Sequence, residues 1–192
     1  MCGGRGTRLG GGTEKPLVRV GDRPMVDRVC AALAESDVDR VYCAVSDHTP
    51  ATQAHLGDSP DVTAVETPGD GYVADLGVAL DRVGTPAVTT ASDLPLLTPA
   101  AVDIALDAPG EEGGSLTVCV PVDLKRDLGV SVDTSTDHGG RRVAPTGLNV
   151  VGEGDGDTVV VDDRRLAVNV NRPRDLQIAH HLLTRGAGAT QH

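Results

Sequence analysis

The chain has 192 residues, a net charge of −11 and a hydrophobic fraction of 39%, enough for one domain, residues 1–192, with a filled core. Its only aromatic rings are Tyr42 and Tyr72, so binding single-stranded nucleic acid by base stacking is excluded as a general function. No apolar run is long enough for a membrane span or signal peptide, and the four cysteines lack CxxC or metal-ligand spacing; this reads as a soluble, cytoplasmic protein with reduced, buried thiols.

The elements follow in chain order. The opening stretch, MCGGRGTRLGGGTEKPL, is a glycine-rich loop: six of its first twelve residues are Gly. Residues 22–36 place Met25, Val26, Val29, Cys30 and Leu33 at helical spacing. VYCAVS (41–46) reads as a strand, and DHTPATQAHL as one or two helical turns started by Thr49-Pro50. VTAVETP (62–68) is a strand, and 72–83 a helix with Val73, Leu76, Ala79, Leu80 and Val83 on one face. PAVTTASD (86–93) is a strand, and 98–108 a helix with Thr98 as N-cap and Pro99 in the first turn. SLTVCVPVD (115–123) is another strand. Residues 124–145 are charged, contain Gly139-Gly140 and have no clear period, so they read as a surface excursion or lid. TGLNVV, TVVV and RLAVNVN restore order before a final helix over RPRDLQIAHHLLTR; residues 186–192 read as a tail. Strand–helix alternation predicts an α/β fold with a mostly parallel central sheet and helices on both faces.

Charge is unevenly spread. Residues 1–28 hold six basic and three acidic residues, a net +3 inside a chain that is −14 elsewhere. Glycine lets backbone N–H groups approach and surround an anion, and a local positive field in an acidic protein suggests a polyphosphate ligand. The loop is not a P-loop, because Lys15 is followed by Pro16 rather than Ser or Thr; nor is it a dinucleotide fingerprint after a strand. Lys15 and Lys125 are the only lysines, and Asp strongly outnumbers Glu, as expected for the cytoplasm of a salt-loving organism.

The loop resembles that of the Rossmann-like nucleotidyltransferases, GGxGTR[LM]G followed by [EP]KPL. Here it stands as Gly3-Gly4-Arg5-Gly6-Thr7-Arg8-Leu9-Gly10, then Glu14-Lys15-Pro16-Leu17. Ser92-Asp93-Leu94-Pro95-Leu96-Leu97 resembles the group's [SC]D[LTM]Px[LI], and Asn169-Val170-Asn171-Arg172-Pro173-Arg174-Asp175-Leu176 its N[IV]NxPxDL. Within the MobA-like members, three stretches resemble the archaeal GTP:adenosylcobinamide-phosphate guanylyltransferases of cobalamin synthesis (the CobY type). They are Ser46 to Thr52, Thr67-Pro68-Gly69-Asp70-Gly71-Tyr72-Val73-Ala74-Asp75-Leu76, and Pro145-Thr146-Gly147-Leu148-Asn149-Val150.

The resemblance implies transfer of GMP from GTP to adenosylcobinamide phosphate with release of pyrophosphate. In that group the loop wraps the triphosphate, which points to Gly3, Gly4, Arg5, Gly6 and Thr7 for the cradle. Arg8 and Lys15 would neutralise charge, and Asp93 would hold Mg²⁺. Asn171 is a metal or phosphate ligand or the N-cap of the last helix, and the two roles can coexist. Guanine presents donors, so Asp75 or a Gly69–Gly71 carbonyl is the candidate reader; Gly147 and Asn149 are candidates near the ribose or acceptor. The alternatives are a molybdenum-cofactor guanylyltransferase and a nucleotide-binding module without turnover, and a homodimer is left open. Such a fold places a short strand before the loop, yet only Met1-Cys2 precede Gly3. The expectation is a missing first strand, unpaired neighbours on either side of it, and a natural start upstream.

Overall fold

A computed structural model describes residues 1–2, 12–57, 59–108 and 113–187. After a short 3-10 turn at Lys15–Leu17 come a two-stranded ribbon, β1 (Arg19–Val20) and β2 (Arg23–Pro24), and α1 (Met25–Ala34). α1 buries Met25, Val26, Val29 and Cys30, four of the five residues that helical spacing aligned; Leu33 is half-buried. β3 (Val41–Val45), α2 (Pro50–Gly57), β4 (Val62–Glu66), α3 (Tyr72–Val83), β5 (Ala87–Thr90) and α4 (Pro99–Asp107) follow. Thr98 caps α4 as expected, its Oγ1 accepting the Ala101 N–H at 3.3 Å.

The segment read as an excursion or lid is largely ordered structure. β6 (Gly114–Pro121) leads into α5 (Val122–Leu128), then β7 (Thr136–His138) and β8 (Arg141–Val151). β7 and β8 form a hairpin closed by Gly139-Gly140, both at positive φ, a pair that suits a two-residue turn. The run from Val132 to Arg142 is mostly exposed, whereas Val122, Lys125 and Val130 are buried. β9 (Gly154–Val160) and α6 (Pro173–Ala187) complete the chain, so α6 enters the segment read as a tail.

The sheet is mixed rather than mostly parallel. β3 and β4 pair in parallel, as do β6 and β9, but β8 lies between β5 and β6 and is antiparallel to both. The cause is the hairpin: β8 enters from the Gly139-Gly140 turn rather than from a crossover helix, and so runs the opposite way. One apolar cluster joins α1 and α4 to β6 and β8 through Val29, Leu94, Val102, Val118 and Leu148. Another, through Val20, Met25, Val168, Val170 and Ala179, seats α6.

Met1 and Cys2 occupy the position expected for the end of a strand before the loop. The Met1 ammonium donates to Thr90 O at 2.9 Å, and Ser92 N–H donates to Met1 O at 3.3 Å, the pattern of a parallel ladder opposite Ala91. On the other side Cys2 N–H donates to Ala44 O at 2.9 Å. These two residues bridge β3 and β5 at their carboxyl ends. Among the described residues β3 otherwise pairs only with β4, and β5 only with β8. A groove of about 800 Å³, lined by Val26, Leu33, Val41, Leu80 and Val88 and by the polar Asp39, Arg40 and Thr89, runs between them. The unpaired neighbours expected from the sequence are therefore β3 and β5. Thr89 Oγ1, on the same groove, is a buried polar atom with no hydrogen-bond partner among the described residues.

Candidate active site

The site lies just beyond the carboxyl end of β5. Asp93 stands three residues past the strand, and its segment is held down by the buried Leu94, Leu96 and Leu97. Pro16, buried in the turn that follows Glu14, presents the preceding lysine to it. Lys15 Nζ donates to Asp93 Oδ2 at 2.6 Å and to Asn171 Oδ1 at 2.7 Å. The sequence separations are 78 and 156 residues, so the fold unites three motifs that were read independently. Lys15 and Asp93 side chains are 19% and 16% exposed, shielded from bulk water yet reachable from one side.

Asn169 backs this group. Its Nδ2 donates to Asp93 Oδ1 at 3.1 Å and to Thr146 O at 2.7 Å, while its Oδ1 accepts from Lys125 Nζ at 3.0 Å. The main chain adds a bond from Val170 N–H to Asp93 O at 2.8 Å. Lys125 also donates to Ala167 O at 2.8 Å. Burial pushes the Lys125 ammonium below its ordinary range, against the opposing pull of Asp175, Asp93 and Asp133.

Asp175, 1% exposed, fixes the approach to α6. Its Oδ1 accepts Ser131 N–H at 2.8 Å, and its Oδ2 accepts Ser131 Oγ–H at 2.8 Å, Asn171 N–H at 3.1 Å and Arg172 N–H at 2.8 Å. A carboxylate three residues into a helix that reaches back to the preceding N–H groups is the acidic half of a capping box. Asn171 is therefore not the cap expected from the sequence: Asp175 caps, which leaves the Asn171 side chain to face Lys15.

Glu14 ties the start of the same segment to α2. Its Oε1 accepts Ala51 N–H at 2.8 Å, and its Oε2 accepts Thr52 N–H at 2.7 Å and Thr52 Oγ–H at 2.6 Å. Burial acts to raise its pKa, but the Thr52 hydroxyl and the two backbone donors outweigh that and hold the carboxyl below its ordinary value.

The remaining candidates fall in three places. Gly69 and Gly71 lie in the connection after β4, and Asp75, in the first turn of α3, accepts the Gly69 N–H on Oδ1 at 2.7 Å. A side chain at Gly69 (φ +76) would meet His48 at 2.9 Å, so the connection packs tightly on the segment after β3. Asp75 is 4% exposed and faces inward. Gly147 lies beside the site: its carbonyl accepts Ala91 N–H at 3.1 Å, and a Cβ there would come within 3.1 Å of Ala91 Cβ and 3.7 Å of Asn169 Nδ2. Asn149 is near the carboxyl end of β8, opposite Thr89 and Thr117, and is half-buried. Gly3, Gly4, Arg5, Gly6, Thr7 and Arg8 lie outside the described residues.

Three residues escaped the sequence reading: Asn169, Lys125 and Asp175. The first and third stood inside the NVNRPRDL stretch, and NVN places two amides two residues apart. Lys125 carried a compositional signal, for it is one of only two lysines in the chain.

The donor set suits a hard divalent cation that shares its shell with phosphates. Asp93 Oδ2 and Asn171 Oδ1 converge on one positive group, the Lys15 ammonium, so two oxygens already serve a cation at this point. Among the described residues no cluster of three or more His, Cys, Asp or Glu is placed to hold a metal. Among them, too, no helix is long and apolar enough to cross a membrane.

Residues 1–176 match the MobA-like NTP transferase domain family. The chain is 30% identical over 197 residues to the adenosylcobinamide-phosphate guanylyltransferase of Methanocaldococcus jannaschii, covering 95% of each protein. Two solved structures share the fold. One is a CMP:2-keto-3-deoxy-manno-octonic acid synthetase complexed with CTP (TM-score 0.66, 16% identity, covering 94% of this chain and 96% of that one). The other is described as a glucose-1-phosphate thymidylyltransferase from Bacillus anthracis (TM-score 0.68, 17% identity, covering 94% and 92%). With Lys15, Asp93 and Asn171 brought together beyond the sheet, and the match spanning all three, the chain belongs to the MobA-like NTP transferase family.

Proposed function

We propose that the chain transfers GMP from GTP to adenosylcobinamide phosphate, giving adenosylcobinamide-GDP and pyrophosphate, in the cytoplasm of a salt-adapted cell. The observation that carries this is the Lys15–Asp93–Asn171 cluster, in a chain aligned over 95% of its length with a relative that bears this activity in its name.

A phosphate oxygen of the acceptor attacks the α-phosphorus in line. The new P–O bond forms as the bond to the β-phosphate oxygen breaks, and pyrophosphate leaves with that electron pair. No protein nucleophile is needed, so the work of the chain is positioning and charge neutralisation. Lys15 neutralises phosphate charge as the leaving group departs, while Glu14 holds its segment and Asp93 and Asn171 hold its ammonium before the nucleotide arrives. Asp93 and Asn171 would hold Mg²⁺, which when bound supplies further neutralisation of the triphosphate. Arg8 and the Gly3–Thr7 backbone are assigned to the phosphate cradle. Because Asp75 Oδ1 accepts the Gly69 N–H and the Gly71 carbonyl accepts the Asp75 N–H, the Gly69 carbonyl is the better acceptor for the guanine N1–H and amino group. Gly147, against Ala91 and Asn169, is assigned to the ribose or acceptor side. Asn149, two residues along β8 on the same face as Gly147, keeps the same assignment.

Pyrophosphate release tests the reading. It is expected only when GTP, Mg²⁺ and adenosylcobinamide phosphate are all present, with Asp93→Asn demanding far more Mg²⁺. GTP that binds without release, or release that answers to molybdopterin and not to the corrinoid, would overturn it.

A further inference from the structure

We propose that Lys125 is a positioning residue for this reaction: it fixes the orientation of the Asn169 amide and, through it, the aim of the Asp93 carboxylate. The proposal rests on the nucleotidyl-transfer reading of the site.

Lys125 is 3% exposed, and its Nζ has two acceptors, Ala167 O and Asn169 Oδ1. Lysine is almost never buried unless paired, and an apolar side chain here would avoid the cost of removing an ammonium from water. The acceptor it meets explains what a lysine does here. An ammonium only donates, so it compels the oxygen end of the Asn169 amide to face it. The NH₂ end is then turned to Asp93 Oδ1 and Thr146 O. One Asp93 oxygen is thereby held from behind, and the other, Oδ2, is left toward Lys15 and the open side of the site.

The composition points the same way. Every basic residue outside the site is an arginine or histidine, and the two lysines both converge on Asp93, one directly and one through Asn169. A guanidinium is planar and carries five donors, which two acceptors in a buried space do not satisfy. The competing role is structural: Lys125 would only tie α5 to the segment around Ala167. That role predicts lost stability and an unaltered Asp93.

The test is Mn²⁺ binding, followed by electron paramagnetic resonance with a non-hydrolysable GTP analogue. Wild type, Lys125→Met, Asn169→Ala and the double variant are compared. Each single change is expected to weaken Mn²⁺ binding about 10–100-fold, the range for residues that orient a metal ligand. The double variant is expected to be no weaker than the weaker single one, because both act along one path. Lys125→Gln, which can still donate to Asn169, is expected to recover part of the loss. It also carries the comparison if Lys125→Met fails to fold by circular dichroism. A folded Lys125→Met protein that melts lower but binds Mn²⁺ like wild type would overturn the proposal. So would a double variant whose loss is the product of the two single ones. Wild type that binds no Mn²⁺ with the analogue would instead overturn the reading of the site beneath it.

Discussion

Replacing Asp175 by Asn changes one atom in the residue that joins α6, Asn171 and Ser131, and its effect can be worked from the contacts. The carboxylate accepts four hydrogen bonds while 1% exposed. The least damaging orientation keeps the amide oxygen at the Oδ2 position, facing Ser131 Oγ, Asn171 N–H and Arg172 N–H. The new NH₂ then faces Ser131 N–H, donor against donor. Losing that bond to a charged acceptor costs about 1.5–3 kcal/mol. The other three become neutral-acceptor bonds, roughly half as strong, losing about 0.7–1.5 kcal/mol each and bringing the total to about 4–7 kcal/mol. A domain of this size loses about 2–4 °C per kcal/mol, so melting should fall by about 10–25 °C. Urea denaturation at one fixed KCl concentration, followed by circular dichroism, measures it. A loss below about 1 kcal/mol would refute the claim that this carboxylate is the clamp of the segment.

Lys15→Ala should lower turnover about 10²–10³-fold, the scale of losing one charge-stabilising group, while melting moves by little because its pair with Asp93 is partly solvated. Unchanged kcat in steady-state assays would remove Lys15 from the chemistry. Glu14 has a folded pKa below its ordinary value of 4.5, so its clamp on α2 stabilises the fold above about pH 4.5 and is lost as pH falls through the lowered value. Melting of wild type minus Glu14→Gln should therefore be positive at neutral pH and shrink toward zero in acid; a flat difference would contradict the assignment. The acidic, lysine-poor surface leads to a melting temperature and an activity that rise with KCl toward molar concentration, and a maximum in dilute buffer would refute the salt-adapted reading.

Elements with strong periodicity or a punctuating residue could be read from the chain alone. α3 spans the 72–83 that its apolar spacing marked out, and Thr98-Pro99 opens α4. Lys15 and Asp93 could be read because each sits in a long motif, and their meeting follows from the order of strands. The hairpin of β7 and β8 was missed because its strands are polar and exposed, so alternation was absent; Gly139-Gly140 was the only local signal. That omission also concealed the direction of β8, and with it the mixed sheet. Asn169, Lys125 and Asp175 act through partners up to 76 residues away, and no local pattern encodes which polar groups will share a buried space.

The reaction proposed for this site moves GMP from GTP onto a corrinoid phosphate. Incubating the protein with α-labelled GTP, adenosylcobinamide phosphate, Mg²⁺ and molar KCl, then separating corrinoids, tests it most directly. Label is expected in the corrinoid product, dependent on Mg²⁺ and lost in Lys15→Ala. Label that stays in GTP while the folded protein binds the nucleotide, or that passes to molybdopterin instead, would contradict it.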